Sequence, residues 1–148
     1  MAQIDRRESI LARLLEIAAG ITGITRALRN QENVSGRIGP TIGLWDGDES
    51  SLTETRGARD TSPRLIEMTP EFRVFEDATA ATVGTSLNGF RAAIIKAVLS
   101  DAQLQGFVGN NGGMFYRGLS TETRTGERIE GGVSLTFALQ YPLIIDEL

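Results

Sequence analysis

Apolar residues near the N-terminus recur with the spacing of an α-helix. The run has spacings of four, three and four positions: Ile10, Leu14, Ile17 and Ile21. This spacing places them on one stripe of a helix surface. Asp5, with Glu8 three positions later, is typical of a helix start. The pattern predicts a first helix over about residues 5–19.

A second stretch has the same period. Its apolar positions recur after three, four and three residues: Leu87, Phe90, Ile94 and Ala97. Ser86 is a residue type that caps helices. The pattern predicts a second helix over about residues 85–100.

The C-terminal part changes to a period of two. Apolar residues alternate with small or polar ones at five positions: Val133, Leu135, Phe137, Leu139 and Tyr141. This alternation predicts a strand of about twelve residues with one apolar face. Residues 114–121 predict the strand before it, and the two form a hairpin around Thr125-Gly126.

The middle of the chain has weaker signals. Residues 40–48 predict a short strand that ends in the turn Asp46-Gly47. Residues 65–75 predict another strand, and Pro70 makes it an edge strand or breaks it, because proline donates no hydrogen bond. Residues 24–37 are polar and irregular, and residues 49–63 predict a long exposed loop.

These elements predict one α+β domain over residues 1–148, in the order α-β-β-α-β-β. The expected architecture is an antiparallel sheet of about four strands, with two main helices packed on one face. A chain of 148 residues has the length of one ordinary domain.

Composition removes several kinds of chemistry. The chain has no cysteine and no histidine, and it has fourteen arginines against the single lysine Lys96. Thiolate metal sites and the commonest general base are therefore absent. Arginine suits forked ion pairing at protein interfaces, although a GC-rich genome also explains its excess.

The candidate catalytic and binding motifs are weak. The run at 46–50 resembles the start of a calcium loop but lacks the later ligands. The glycine-rich run at 106–113 follows a helix and precedes a strand, the reverse of a phosphate-binding loop. The pair Glu67 and Glu71 has no apolar surroundings that would raise a pKa, and a serine nucleophile would have to use Lys96. The sequence predicts no metal, no cofactor and no enzymatic activity.

Exposed edges and the polar loop favour a role in assembly. A strand of twelve residues exceeds the usual length, and its edges must be paired or covered. Trp45 fits either an interface anchor or the core. Charged residues of the loop and the neighbouring strands form the candidate assembly interface: Asp48, Glu49, Arg56, Arg59, Arg64, Glu67 and Arg117.

Charge and hydropathy indicate where the protein works. The net charge of −4 argues against a protein that grips nucleic acid. The N-terminal residues lack the apolar core of a signal peptide, and no apolar run reaches the length of a membrane span. We expect a soluble protein that is made in a cytoplasm.

The order of these features along nearly the whole chain resembles the tail-terminator proteins (minor tail or neck-ring proteins) of long-tailed bacteriophages. The resemblance rests on an amphipathic helix, two strands separated by a polar loop, a second helix and a C-terminal hairpin. The residues that carry it are Ile10–Leu15, Leu44–Glu49, Met68–Glu71, Leu87–Ala97, Gly118 and Leu135–Phe137.

The resemblance implies a function. Such proteins form a hexameric ring on the head-proximal end of the tail tube, where the ring ends tube polymerisation and presents a surface to the head connector or neck protein. DNA passes through the central hole without specific binding, and the protein is part of the virion. An acidic protein suits this role, because a like-charged wall does not hold the phosphate backbone.

Three alternatives remain open. A tail-tube subunit or a head-closure protein of the same phage has a similar plan. A monomeric bacterial binding module would use the loop at 49–63 for recognition. A hydrolase would need an acidic site that the sequence does not reveal.

Overall fold

A computed structural model describes residues 3–31, 39–53, 61–79, 82–124 and 129–148. These residues form helices and strands in a mixed order along the chain. The helices are α1 (Arg6–Ala19), α2 (Val83–Leu99), α3 (Ala102–Val108) and a C-terminal 3-10 turn (Ile145–Glu147). The strands are β1 (Arg26–Arg29), β2 (Thr41–Trp45), β3 (Glu49–Ser51), β4 (Arg64–Met68), β5 (Glu71–Ala78), β6 (Gly113–Arg124) and β7 (Ile129–Leu143).

The strands form one sheet around β7. β6 pairs with β7 on one side, antiparallel. β4 and β5 lie end to end on the other side, where β4 pairs with the C-terminal part of β7 and β5 with its N-terminal part. β3 extends the sheet beyond β4, and β2 and β1 extend it beyond β5. The pair β1–β2 is parallel, and the other pairs are antiparallel.

The helices pack on one face of this sheet. Alternate residues of β7 from Val133 to Tyr141 are buried in the same cluster as Ile10, Ile94 and Leu104, which come from the three α-helices. Side chains of α2 also lie against the backbone of Gly131. Burial of this apolar stripe stabilises the fold, because each fully buried aliphatic or aromatic side chain contributes about 1.5–3 kcal/mol.

Both predicted helices are present. Asp5 caps α1, and its Oδ1 accepts a hydrogen bond from the backbone N–H of Glu8 at 3.3 Å. The predicted cap Ser86 is wrong, because α2 begins three residues earlier and Ser86 lies within its first turn. The turn at Gly109 also follows an unpredicted helix, α3, for which Asp101 accepts a hydrogen bond from Leu104 N–H at 2.9 Å.

The predicted sheet of about four antiparallel strands is wrong. The described residues contain seven strands, one parallel pair and a third α-helix, in a different order. β1 lies in the stretch 24–37 that was expected to be irregular, and β3 lies in the predicted loop 49–63. Both are short, and β3 is exposed throughout, so neither carries an apolar alternation.

The strand predicted across residues 65–75 is two strands. Pro70 separates β4 from β5, and both pair with β7 on the same side. At the break, the Pro70 carbonyl accepts a hydrogen bond from the backbone N–H of Phe137 at 3.1 Å. The proline therefore breaks the strand, one of the two outcomes expected from its missing donor.

Arginine side chains connect helices and strands that are distant in sequence through bidentate ion pairs. Arg6 in α1 binds both carboxylate oxygens of Glu147 at 2.9 Å. Arg13 in α1 binds both oxygens of Asp101, the cap of α3, at 2.7 and 3.1 Å. Arginine forks thus act within the chain, between parts far apart in sequence.

Arg29 joins three elements. Its guanidinium donates to both carboxylate oxygens of Asp46, after β2, at 2.8 and 2.9 Å. It also donates to both oxygens of Glu8, in α1, at 2.7 and 3.0 Å. These hydrogen bonds hold the pKa of Asp46 and of Glu8 below their ordinary values.

We expect Arg29→Met to lower the free energy of unfolding at pH 7 by about 1–2 kcal/mol, mostly through Asp46, because Glu8 is more exposed. A depressed pKa in the folded state contributes stability above the ordinary pKa, and this contribution is lost as the pH falls through the depressed value. The wild-type protein should therefore lose more stability between pH 5 and pH 2 than the variant. Urea unfolding followed by Trp45 fluorescence measures both.

Lys96→Met is the control, because it also removes one positive charge from an exposed side chain. It should leave the acid dependence of the wild type unchanged. Parallel acid profiles for wild type and Arg29→Met would contradict a stabilising role of the two carboxylates.

Candidate assembly surface

The sheet face opposite the helices is not covered by any described helix. We call it the open face; it is formed by the alternate residues of β2, β4, β5, β7 and β6 that point away from the core. Its members include Gly43, Trp45, Glu67, Glu71, Arg73, Phe75, Phe115, Arg117, Ser120, Glu122, Gly132, Ser134, Thr136, Ala138 and Gln140. Small residues of β7 lie along its middle, and charged and aromatic residues lie on both sides.

One side of the open face carries Trp45, Arg73 and Glu71. The guanidinium carbon of Arg73 lies 4.4 Å from the centre of the Trp45 ring. Arg73 Nε also lies 2.7 Å from Glu71 Oε1. The Trp45 ring covers Gly43, where a Cβ atom would lie 2.3 Å from it. Trp45 is therefore a half-buried residue of the open face, so its assignment to the core is wrong and its role as an interface anchor stays a prediction.

The other side carries Phe115, Arg117 and Glu67. The guanidinium of Arg117 lies 5.4 Å from the centre of the Phe115 ring, and its Nη2 lies 3.5 Å from Glu67 Oε2. Gln140, between them on β7, donates a hydrogen bond to Glu67 Oε2 at 2.9 Å. Because Arg117 is about half exposed, this ion pair stabilises the fold only weakly.

A shallow polar depression of about 310 Å³ separates the two sides. Glu71, Arg117, Ser134 and Thr136 line it. Because it is open and polar, it lacks the enclosed apolar lining of a typical small-molecule site.

Strand β6 borders the open face and forms an edge of the sheet. Within the described residues, β6 pairs with β7 alone. Two large apolar side chains on it are exposed: Phe115 is 43% and Leu119 is 36% accessible. The strand bulges at Arg117, and Gly118 after it has φ +150, a conformation that favours glycine.

The structure describes five of the seven predicted interface residues and does not bring all five together. Glu67 and Arg117 come together on the open face. Asp48 and Glu49 lie at the start of β3, and Arg64 begins β4. Arg56 and Arg59 lie outside the described residues.

Glu49 is engaged within the chain. Its Oε2 accepts a hydrogen bond from the Tyr141 hydroxyl at 2.7 Å and lies 3.6 Å from Arg7 Nη1. Burial, together with this carboxylate, raises the pKa of Tyr141. The backbone carbonyl of Asp48 accepts from Thr69 N–H at 3.1 Å. These contacts fix β3 against α1 and β7, so Glu49 has a structural role.

The sequence interpretation did not single out Phe115, Leu119 and Arg73 as surface candidates. One signal was present: Met114, Phe115 and Tyr116 are three consecutive apolar residues in a predicted strand. Successive strand residues point to opposite faces, so one of the three had to leave the core. The exposure of Leu119 has no such signal, because Leu119 continues the core-facing alternation and is exposed by its edge position.

Within the described ranges, no group of three or more acidic, histidine or cysteine side chains could hold a metal ion. In the calcium-like run, Asp46 binds Arg29 and Glu49 binds Tyr141. None of the described helices combines the length and apolar character that crossing a bilayer requires.

The chain was compared with protein families and with curated proteins. No family model matches it, and no curated protein matches its sequence. The resemblance to phage tail terminators therefore stays a prediction.

Proposed function

We propose that this chain is a structural virion protein that assembles with copies of itself into a ring. The ring caps the head-proximal end of a phage tail tube, ends tube polymerisation and provides the surface for head joining. Its partners are further copies of the chain, the tube protein and the head connector, and DNA passes through its hole. The ring and its six subunits are what the resemblance to tail-terminator proteins implies.

The observation that carries the proposal is the edge strand β6. A strand of twelve residues has backbone donors and acceptors along its outer side, and such an edge is a template for pairing with another chain. Phe115 and Leu119 add exposed apolar surface to the same edge. Natural monomers protect long edges, so an edge of this kind supports a subunit that is completed by assembly.

The open face supports the same proposal. Its ion pairs and aromatic side chains have the composition of interface cores, in which arginine, tryptophan and phenylalanine are enriched. The chain has no histidine, the commonest general base near neutral pH. A structural role therefore accounts for more of the surface than a catalytic role does.

Light scattering after size exclusion tests the proposal. We expect a species with about six times the 16.0 kDa mass of one chain, and negative-stain images of rings. Long open tubes in these images would favour the tail-tube subunit instead. When added to polymerising tube protein, the chain should give short, closed tubes. A strictly monomeric chain that also leaves tube length unchanged would contradict the proposal and favour the binding module.

We expect the double variant Phe115→Ser/Leu119→Ser to weaken ring formation about 100-fold. Removing two apolar side chains from an interface lowers the binding free energy by about 3 kcal/mol for each pair of neighbouring subunits. Sedimentation over a range of concentrations measures the shift toward monomer. Ile4→Ser is the matched control, because Ile4 is equally exposed at 44% but lies away from β6, before α1. If both variants assemble like the wild type, the edge of β6 is not an interface.

A further inference from the structure

Two edge strands of the sheet, β6 and β1, run in opposite directions. β6 lies beside β7, β1 lies beyond β5 and β2, and the third edge strand, β3, lies beyond β4. Following the pairings from β6 through β7, β5 and β2 gives three antiparallel steps and then the parallel step to β1. β1 therefore runs antiparallel to β6, and within the described residues it pairs with β2 alone.

This polarity matters for assembly. If a second copy in the same orientation extended the sheet at β6, its β1 would meet β6 as an antiparallel neighbour. The contact would use different surfaces on the two copies, so it would leave a free β6 and a free β1 at the ends. Such a head-to-tail contact repeats from copy to copy, and it gives a ring when the rotation between neighbouring copies closes and an open filament when it does not.

The register of the sheet adds charge complementarity. One row across the sheet joins Arg26, Thr41, Phe75, Gly132 and Glu122. Arg26 Nε lies 3.5 Å from Thr41 Oγ1, and Glu122 lines a depression with Phe75 and Gly132. Arg26 and Glu122 are thus on the same face, at opposite ends of one row. If the row continued into the next copy, Arg26 would lie directly across from Glu122, where opposite charges stabilise a strand pair.

We propose that neighbouring copies join by strand addition, with β1 of one copy antiparallel to β6 of the next and Arg26 facing Glu122. The occupant of the β6 edge is therefore a second copy of this chain. The inference rests on the proposed ring and names the contact that builds it. It predicts one sheet that continues from subunit to subunit around the ring.

Engineered cysteines test this contact directly, because the natural chain has no cysteine. In the double variant Arg26→Cys/Glu122→Cys, each copy carries one thiol at each end. Opposite side chains in an antiparallel pair are close enough for a disulfide or a short bismaleimide bridge. We expect a ladder of cross-linked species on denaturing gels, and its last band should count the subunits of the ring.

The single variants define the geometry. Arg26→Cys alone and Glu122→Cys alone should not cross-link, and an assembled mixture of the two should give dimers but no larger species. Efficient dimers from Glu122→Cys alone would show β6 pairing with β6 and would overturn the proposal. A ring by light scattering without any cross-link in the double variant would also overturn it, while leaving the proposed function standing. Monomers without cross-links would overturn both if the wild-type chain is also monomeric and leaves the length of the tubes unchanged.

A charge exchange tests the same contact without cysteine. Arg26→Glu should weaken assembly about tenfold, because two carboxylates would then face each other. Adding Glu122→Arg should restore it, and thermal unfolding of both variants shows whether the monomer is intact. If an intact Arg26→Glu variant assembles normally, or if the exchange gives no recovery, the predicted pairing is wrong.

Discussion

Replacing Phe137 by alanine is expected to lower the free energy of unfolding by about 3–5 kcal/mol. Phe137 is completely buried at the centre of β7. Its ring makes an edge-to-face contact with Phe72 at 5.7 Å and a tilted contact with Tyr116 at 5.6 Å. These rings come from the strands on either side of β7, so the alanine would leave a cavity where the sheet is held together.

Urea unfolding followed by circular dichroism measures this loss. Phe115→Ala is the matched control, because it removes the same type of side chain from the residue directly before Tyr116, where the ring is 43% exposed. We expect less than about 1 kcal/mol for the control. Because single domains are stable by only about 5–15 kcal/mol, Phe137→Ala should also reduce the yield of folded protein. Equal losses in the two variants would contradict the assigned core.

Gly47→Ala is the second substitution with a large expected effect, a loss of about 2–4 kcal/mol. Gly47 lies in the turn between β2 and β3 with φ +70, which favours glycine. A Cβ atom there would lie 2.0 Å from the carbonyl oxygen of Thr69. The obstacle is backbone at the break between β4 and β5, so it cannot rotate away. Either the turn or this break must move.

The control for this prediction is Gly84→Ala in the first turn of α2. No atom lies within 4 Å of a Cβ at Gly84, and its backbone is helical. This variant should gain about 0.4–1 kcal/mol, because alanine has less freedom than glycine in the unfolded chain. Thermal unfolding of both variants gives the comparison. A stability of Gly47→Ala equal to that of the wild type would show that the turn tolerates a side chain.

These variants separate folding from assembly. Phe137 and Gly47 act inside one chain, so their replacement should change the unfolding of a dilute monomer. Phe115, Leu119 and Arg26 lie at the two ends of the sheet, so their replacement should change the concentration dependence of the assembly. A variant that altered both would place its residue in both roles.

The sequence by itself determined the helices and strands in which apolar residues recur regularly over many positions. Each of the two long helices, at 6–19 and 83–99, and each strand of the hairpin buries one stripe of side chains against the core. Apolar residues therefore recur along the sequence with a period of about 3.6 in the helices and 2 in the strands. The turn at Asp46-Gly47 could also be predicted from the sequence, because few residue types accept its backbone conformation. Cap and boundary positions were less certain, as Ser86 shows.

Only the tertiary structure decided the rest. β1 and β3 are short edge strands held by pairing with a neighbour, so their own residues carry no period. Two contacts depend on which strands are neighbours across β7 and β5: the ion pair of Glu67 with Arg117 and the stacking of Arg73 on Trp45. Strand order is a property of long-range pairing, which no local pattern encodes. For the same reason the sequence named candidate interface residues, while the place of β6 at an edge of the described sheet and its direction relative to β1 appeared only in the folded protein.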